Sequence, residues 1–157
     1  MPQSVRRLSL LSLLLCAAFT ALAQQRLVDP DSPDSAHGAA LRMLRHLAEG
    51  ELDAAAKLSN APERRLEVLR DYLKSVGEDN FRRTFGRYLA PENRVVAEVA
   101  IGPRRLIVWD LGDAGNRLAG QFFIQVDGRF LMDDVPSPGR SQLRRILDDY
   151  RAGHLKY

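Results

Sequence analysis

The rest of the chain is organised around the stretch from Arg94 to Asp134, which reads RVVAEVAIGPRRLIVWDLGDAGNRLAGQFFIQVDGRFLMDD. Apolar and polar residues alternate along most of it, which is the pattern of β-strands. Three turn signals interrupt the alternation, at Gly102-Pro103, at Gly112 to Asn116 and at Asp127-Gly128. The stretch therefore predicts four consecutive antiparallel strands joined by short turns.

The first turn, Gly102-Pro103, has glycine at its first central position, as a type II′ hairpin requires. A two-residue loop there pairs Val99 with Leu106, Ala97 with Val108, and Val95 with Asp110. On this register one face carries Val95, Ala97, Val99 and Ile101, and Ile107 and Trp109 lie on the other. Both faces are largely apolar, so we expect helices on one face and a curved sheet enclosing something on the other.

The turn at Asp127-Gly128 is the strongest short hairpin signal in the chain. It joins a long strand, Arg117 to Val126, to a shorter one, Arg129 to Asp134. The register then places Ile124 opposite Leu131 and Phe123 opposite Met132.

Helical patterns flank the strand block on both sides. We expect a first helix that Ser32-Pro33-Asp34 opens and Gly50 ends, a short one from Glu51 to Ser59, a third capped by Asn60 with Glu63, and a fourth from Asp79 that stops before Pro91. After the Pro-rich segment Val135 to Gly139, a last helix runs from Ser141 to Ala152. The sequence predicts one α+β domain over residues 32–157, with N-terminal helices packed on a curved four-stranded antiparallel sheet and an added C-terminal helix.

The first 23 residues have the pattern of a signal peptide: Arg6-Arg7, an apolar run from Leu8 to Phe19, and Ala21-Leu22-Ala23 before the cleavage point. We expect cleavage after Ala23, a linker over residues 24–31, and a periplasmic or secreted mature protein. A retained anchor needs about 20 uninterrupted apolar residues, and this run is shorter. A lipoprotein signal at Cys16 is a second alternative, which Leu15 disfavours because a small residue usually stands there.

Cleavage changes the cysteine content and the net charge of the mature chain. Cys16 is the only cysteine, so the mature chain has no disulfide and depends on packing alone. The full chain has a net charge of +3, but removing Arg6 and Arg7 leaves 21 basic residues against 20 acidic ones. This near balance removes the argument for a nucleic-acid partner that the charge of the full chain would have made.

The element order and three short stretches resemble the nuclear-transport-factor-2-like (cystatin-like α+β cone) superfamily, in particular its exported bacterial members of unassigned function. The stretches are Asp31 to Ala36, Leu47 to Ala55 and Val126 to Asp133. The resemblance implies a cone-shaped sheet whose mouth can hold a small molecule, and a tendency to form homodimers through the sheet. The C-terminal helix would then plug the cone or cover an edge strand. The superfamily includes isomerases, dehydratases, cyclases and binding modules, and no position here matches an enzyme motif, so no catalytic residue carries over.

Asp110 is the candidate acid or base, since it ends an apolar strand beside Trp109, where burial would raise a carboxyl pKa. The alternative is an aspartate that starts the turn after the strand. Asp133 and Asp134 are adjacent, so they point to opposite faces of a strand and do not form a catalytic pair. The spacing of the three histidines suits neither zinc nor a triad, and we expect no metal and no cofactor.

A ligand pocket is the second candidate site, on the sheet face that carries Trp109, Gln121, Phe123, Gln125, Phe130 and Met132. The same side chains could instead form the core under the helices. The arginine pairs, such as Arg64-Arg65 and Arg144-Arg145, alternate with acidic residues, which favours a salt-bridged surface over a polyanion site.

These patterns favour an exported, non-catalytic binding or interaction module whose partner is a small apolar ligand or an envelope protein. We expect no nucleic-acid binding and no stable membrane insertion after cleavage. One alternative is a small isomerase or hydrolase that uses Asp110 in a cone-shaped pocket, and another is an envelope polyanion-binding protein.

The leader prediction is tested by the intact mass and N-terminal sequence of the protein recovered from the periplasm of an expressing bacterium. We expect a chain that begins at Gln24 and does not react with iodoacetamide, because Cys16 has been removed. A product that keeps residues 1–23, or that begins at a lipid-modified Cys16, would contradict the prediction.

Overall fold

The computed structural model of the protein describes residues 34–112 and 118–157. Its elements are α1 (Ala36–Glu49), α2 (Leu52–Ala56), α3 (Pro62–Val76), α4 (Glu78–Gly86), a 3-10 turn (Arg87–Leu89), β1 (Arg94–Ile101), β2 (Arg104–Asp110), β3 (Leu118–Val126), β4 (Arg129–Met132) and α5 (Pro138–Arg151). The strands form one antiparallel sheet in the order β1-β2-β3-β4. The α+β class is therefore confirmed. The predicted leader, the linker, Ser32-Pro33 and most of the loop before β3 lie outside the described residues.

Helices cover both faces of the sheet. On one face Ile107, Trp109 and Phe123 pack against α1, through Ala36, Ala39, Ala40 and Leu44. On the other face α5 packs Leu143, Leu147 and Tyr150 against side chains of β1, β2 and β3 that include Val99, Leu106, Val108 and Phe122. The C-terminal helix therefore covers the sheet face opposite α1 and not an edge strand. The expectation that it plugs a cone stays a prediction.

The hairpin registers are confirmed at four positions: Val99 with Leu106, Ala97 with Val108, Ile124 with Leu131 and Phe123 with Met132. The pairing of Val95 with Asp110 is wrong. The register shifts between Val95 and Ala97, so that Val95 lies opposite Trp109 and Arg94 opposite Asp110. This irregularity has the form of a β-bulge, in which one extra residue shifts the alternation of side chains, so that those before the bulge lie on the other face. Val95 accordingly joins the α1 face beside Trp109.

Two helices begin at a different serine from the expected one. α1 begins at Ala36, where the Ser35 hydroxyl accepts a hydrogen bond from the Gly38 amide at 2.9 Å. α5 begins at Pro138, where the Ser137 hydroxyl accepts from the Arg140 amide at 3.2 Å. Proline suits the first helical position because its missing N–H has no partner there, so Pro138 starts the helix that it was expected to delay.

Asn60 does not cap α3, contrary to the expectation. The helix starts at Pro62 without a side-chain cap. Asn60 Nδ2 instead donates to Asp133 Oδ1 at 2.9 Å, and Asn60 Oδ1 accepts from the Asp134 amide at 2.8 Å. Hydrogen bonds to a charged acceptor are stronger than neutral ones, so the distant aspartates outcompete the local cap.

Asp133 and Asp134 form a network with the chain around Ser59 that we call the aspartate latch, and it comprises Ser59, Asn60, Arg65, Arg104, Asp133 and Asp134. The buried Asp133 accepts from Arg104 Nε at 2.9 Å. Asp134 accepts from Ser59 Oγ at 2.6 Å and from both Nε and Nη2 of Arg65. β4 therefore ends at Met132, two residues before the expected end, because the next two side chains turn to the latch.

The latch also closes the outer side of β4. The Met132 amide donates to the Leu58 carbonyl at 2.7 Å, and the Asn60 amide donates to the Met132 carbonyl at 3.0 Å. These bonds form a single parallel bridge between Ser59 and Met132. The chain between α2 and α3 thus covers an edge that β4 would otherwise leave unpaired.

Gly120 allows α5 to lie close to β3. A Cβ atom at position 120 would lie 2.4 Å from Leu147 Cδ2 and 3.0 Å from Leu106 Cδ1. We expect Gly120→Ala to lower the free energy of unfolding by about 1–3 kcal/mol, because the added methyl group overpacks this contact. Urea denaturation of the variant and the wild type measures the loss.

Gly86→Ala is the matched control, since a Cβ atom there meets nothing within 4 Å. We expect this variant to lose no stability and to gain up to about 1 kcal/mol, because alanine suits the helical backbone of α4 better than glycine does. Adding Leu147→Ala to Gly120→Ala should cost less than the two single losses together, because the clash disappears. Equal losses from the two glycine variants, or simple additivity in the double variant, would show that the close approach is not the cause.

Candidate functional site

Tyr88 lies where three cavities of the described residues meet. It lies in the 3-10 turn between α4 and β1, and it lines cavities of about 230, 620 and 390 Å³. Burial raises the pKa of the Tyr88 hydroxyl above its ordinary value, although the charge of Arg151 opposes this shift. Tyr88 did not stand out in the sequence, because it follows Phe85 at the helical spacing of an ordinary core residue.

The largest of the three, which we call the Trp109 cavity, lies where α1, the 3-10 turn and the first two strands meet. Its apolar wall includes Leu41, Val95 and Trp109, and its polar groups include Arg45, Asn93 and Arg94. Tyr88 contacts the indole edge-on at a centroid distance of 6.1 Å, and Trp109 Nε1 donates to Gln121 Oε1 at 2.9 Å. The bulge in β1 contributes directly, since it moves Val95 onto this face.

In the wall of this cavity, Asn93 has a side-chain oxygen that accepts no hydrogen bond from the described residues. Its Nδ2 donates to the Arg87 carbonyl. Its Oδ1 is buried and has no hydrogen-bond partner among the described residues. Asn93 lines both the Trp109 cavity and the 230 Å³ cavity beside it. Buried polar atoms are nearly always hydrogen-bonded, so this oxygen marks a position for a donor from a ligand or from water.

The six residues of the expected ligand face lie in different surroundings. Trp109 lines the Trp109 cavity, while Gln121 and Met132 line the 390 Å³ cavity. Phe123 is 1% exposed and packs in the core beneath α1. Gln125 is exposed, and Phe130 lies under the Arg105 guanidinium at 5.6 Å. The sheet therefore holds the six on one face, but they do not line one pocket: three line two different cavities, and the other three lie outside both.

Asp110 makes the contacts of a turn-forming aspartate. Its Oδ1 accepts from the Gly112 amide at 3.0 Å, and its Oδ2 accepts from Arg94 Nη2 at 3.4 Å. It lines none of the three cavities formed by the described residues. These contacts agree with the alternative interpretation, in which Asp110 starts the turn after its strand.

The 390 Å³ cavity, which we call the edge cleft, lies along the first half of β3. Its floor is apolar and includes Met43, Leu44 and Leu47 of α1, and one wall is formed by Arg140, Arg144 and Arg151 of α5. The Arg140 and Arg144 guanidinium groups lie over the Phe122 ring, 5.3 and 5.7 Å from its centre. Arg140 Nε is buried without a partner in the described part of the chain.

The arginines divide into paired and unpaired ones. Arg65, Arg82, Arg104 and Arg105 pair with carboxylates, as a salt-bridged surface would have them. Within residues 34–112 and 118–157, Arg140 and Arg144 form no ion pair. The sequence does not show which arginines are paired, because the packing of α5 on the sheet determines which of them line the cleft.

Glu98 is a buried carboxylate that sequence reasoning also missed. It is 8% exposed, lies 3.5 Å from Arg105 Nε, and has an Oε2 atom without a partner among the described residues. Burial raises the pKa of the Glu98 carboxyl above its ordinary 4.5, and the Arg105 charge offsets part of the rise. The available signal was a lone glutamate inside the apolar strand β1.

Three side chains at the C-terminal end of α1 have ligand atoms within 4.8 Å of one another: His46, Glu49 and Glu51. Both carboxylates are exposed, and His46 Nδ1 already lies 2.6 Å from Glu51 Oε2. His37 is distant from this group, packed edge-on against Trp109 at 5.4 Å. Local pairing at a helix C-terminus accounts for the group.

Comparisons of the chain with models of protein families, with curated proteins and with solved structures found no match. The superfamily resemblance therefore stays a prediction from the sequence. Among the described residues, no helix has the length and apolar character needed to cross a membrane.

The shifted pKa of Glu98 predicts a pH dependence of stability. Since the folded protein keeps a proton that the unfolded chain loses near pH 4.5, stability falls as the pH rises from 4.5 towards the raised pKa. Glu98→Gln removes this fall, so we expect the variant to gain stability relative to the wild type across that window and to keep the gain at higher pH.

Urea denaturation between pH 4 and 8 measures the difference, with the exposed Glu67→Gln as control. A difference between Glu98→Gln and wild type that is constant with pH would contradict the shift. So would the same pH profile in the Glu67→Gln control.

Proposed function

We propose that the protein is an exported, non-catalytic binding module that holds a small amphipathic ligand in the Trp109 cavity. The observation that carries the proposal is the unpartnered Asn93 Oδ1 in the wall of a cavity of about 620 Å³. This volume lies within the range of about 300–1,000 Å³ typical of ligand sites. An apolar wall with a few polar groups is also the usual composition of such sites.

The chemistry of the lining selects the ligand class. The surfaces of Leu41, Val95 and Trp109 favour an apolar body. Arg45 and Arg94 favour an anionic group at the mouth of the cavity, where Arg94 already shares its charge with Asp110. A hydroxyl or amide donor on the ligand would satisfy Asn93 Oδ1.

Binding is favoured over catalysis by the position of the candidate acid. An isomerase or hydrolase using Asp110 needs a carboxylate oxygen within hydrogen-bond reach of a bound substrate. Both oxygens of Asp110 instead accept bonds from Gly112 and Arg94. Membership of the nuclear-transport-factor-2-like superfamily, export through the leader and a periplasmic or secreted location are parts of this proposal and rest on the sequence patterns.

The test uses 8-anilinonaphthalene-1-sulfonate, which combines an apolar ring system with an anionic group. Trp109 is the only tryptophan, so energy transfer from it reports a bound probe, and a variant of the cavity wall locates the probe. We expect saturable binding at one site per chain, accompanied by quenching of Trp109 emission. Near-UV circular dichroism confirms that each sample is folded.

Ala90→Phe places a ring in the Trp109 cavity, because Ala90 lines it. We expect this variant to bind the probe at least about tenfold more weakly, a loss of about 1.4 kcal/mol. Ala152→Phe adds the same ring at an exposed position after α5 and should bind as the wild type does. Equal binding by the two variants would overturn the assignment of the cavity.

A further inference from the structure

We infer that the edge cleft is a docking site for an extended acidic segment of a partner protein, which adds as a strand beside the first half of β3. This inference goes beyond the proposed small-molecule site, because it uses the other side of Tyr88 and a different ligand class. It rests on four features: an open strand edge, an apolar floor, unpaired arginines, and the side-chain alternation that a new strand must follow.

The open edge follows from the short length of β4. β4 pairs only with Phe123 to Val126 of β3, and the Asp133 amide adds one more bond to the Phe122 carbonyl at 2.8 Å. Main-chain groups two residues apart point to the same side of a strand, so those of Gly120 face the same edge as the Phe122 carbonyl. No strand of the described ranges pairs with Gly120 on that side. Such an edge is a template for another strand.

The Leu118 carbonyl, which faces the same edge, already accepts a hydrogen bond from a side chain. Arg151 Nε donates to the Leu118 carbonyl at 3.0 Å, in the position that an N–H group of a further strand would occupy. A side chain thus satisfies one edge group, while Gly120 makes no corresponding bond to any described residue. An extended peptide supplies the missing ladder through its own main chain.

The floor of the cleft suits apolar side chains. Met43, Leu44 and Leu47 of α1 lie there together with Leu69 of α3 and Met132 of β4. The cleft has a volume of about 390 Å³, which is room for a few side chains and not for a globular surface. The partner must therefore enter as a narrow, extended segment.

The wall contributed by α5 selects negative charge. Arg140 and Arg144 make no ion pair within the described part of the chain, and Arg140 Nε is buried without a partner. The first turn of α5 contains no acidic residue to offset them. Of the carboxylates in the cleft, Asp133 is taken by Arg104, and Asp148 lies 3.7 Å from Arg151 Nη1. Acidic side chains on the partner would neutralise the two remaining cations.

The pleat of β3 determines where those acidic residues stand in the partner. Laterally adjacent residues of neighbouring strands point to the same face of a sheet. Residues beside Gly120 and Phe122 therefore point towards α5 and its arginines, and a residue beside Gln121 points towards α1 and the apolar floor. The partner segment accordingly alternates acidic and apolar residues.

The same charges exclude a second copy of this chain at the edge. Two β3 strands paired across the open edges would bring two sets of Arg140 and Arg144 together without carboxylates between them. Like charges directly opposite one another destabilise a strand pair. An acidic partner of another sequence is therefore the occupant that the cleft fits.

The probe is an acetylated and amidated nine-residue peptide of alternating glutamate and valine, titrated into the folded protein by calorimetry and followed by residue-resolved NMR. We expect one peptide per chain and slower hydrogen exchange at the Gly120 amide. Arg140→Gln with Arg144→Gln should weaken binding about tenfold, through two ion pairs of ordinary strength. Arg129→Gln with Arg145→Gln removes the same charge at exposed positions and should leave binding unchanged.

Two further peptides separate strand addition from simple charge attraction. A lysine and valine peptide of the same pattern should not bind, and the glutamate peptide methylated on alternate main-chain nitrogens should lose binding because it cannot form the ladder. Equal weakening by the two double variants, an unchanged Gly120 amide, or full binding of the methylated peptide would each overturn the inference. Ala90→Phe should bind the peptide normally, so failure of the Trp109 cavity and failure of the edge cleft give different results.

Discussion

Two adjacent aspartates after β4 hold the sheet to the helices that precede it. Asp133 is almost completely buried between Arg104 of β2 and Asn60, and Asp134 is held by Ser59 and Arg65. Removing one partner from a buried charge pair leaves an uncompensated charge, which costs about 3–5 kcal/mol. In a chain whose described residues contain no cysteine, this aspartate latch is the polar contact that joins the α2–α3 connection to both β2 and β4.

The latch determines which strand edge is covered. Because residues 133 and 134 leave the ladder, β4 reaches only the second half of β3, and the chain around Ser59 closes its outer side. The first half of β3 then lies between α1 on one face and α5 on the other, where Gly120 lets Leu147 approach. The edge cleft and the unpaired arginines are consequences of this arrangement. The Trp109 cavity lies beyond Tyr88, under the bulge of β1.

Local signals in the sequence predicted the fold, and long-range contacts accounted for its errors. The hairpins at Gly102-Pro103 and Asp127-Gly128 depend on a few residues with positive φ, so their registers followed from composition. The bulge at Val95 and the loss of the Asn60 cap depend on contacts with Trp109 and with the aspartates, which no local pattern encodes. The sequence did not reveal the candidate sites for the same reason. Asn93, Glu98 and Arg140 are distinctive because the fold buries one polar atom of each without a hydrogen-bond partner among the described residues. Asp110 had the expected position, and its hydrogen bonds are those of a turn.

The edge cleft exists only if β4 stops at the latch and leaves the first half of β3 unpaired. Residue-resolved hydrogen exchange of the free protein measures this directly, because an amide in a ladder exchanges only when the strands open. Ile124 lies opposite Leu131 within the β3–β4 ladder, whereas Gly120 lies beyond its end. We expect strong protection of the Ile124 amide and much faster exchange at Gly120. Equal protection at both positions would mean that another strand covers this edge, and would contradict the open edge beside Gly120.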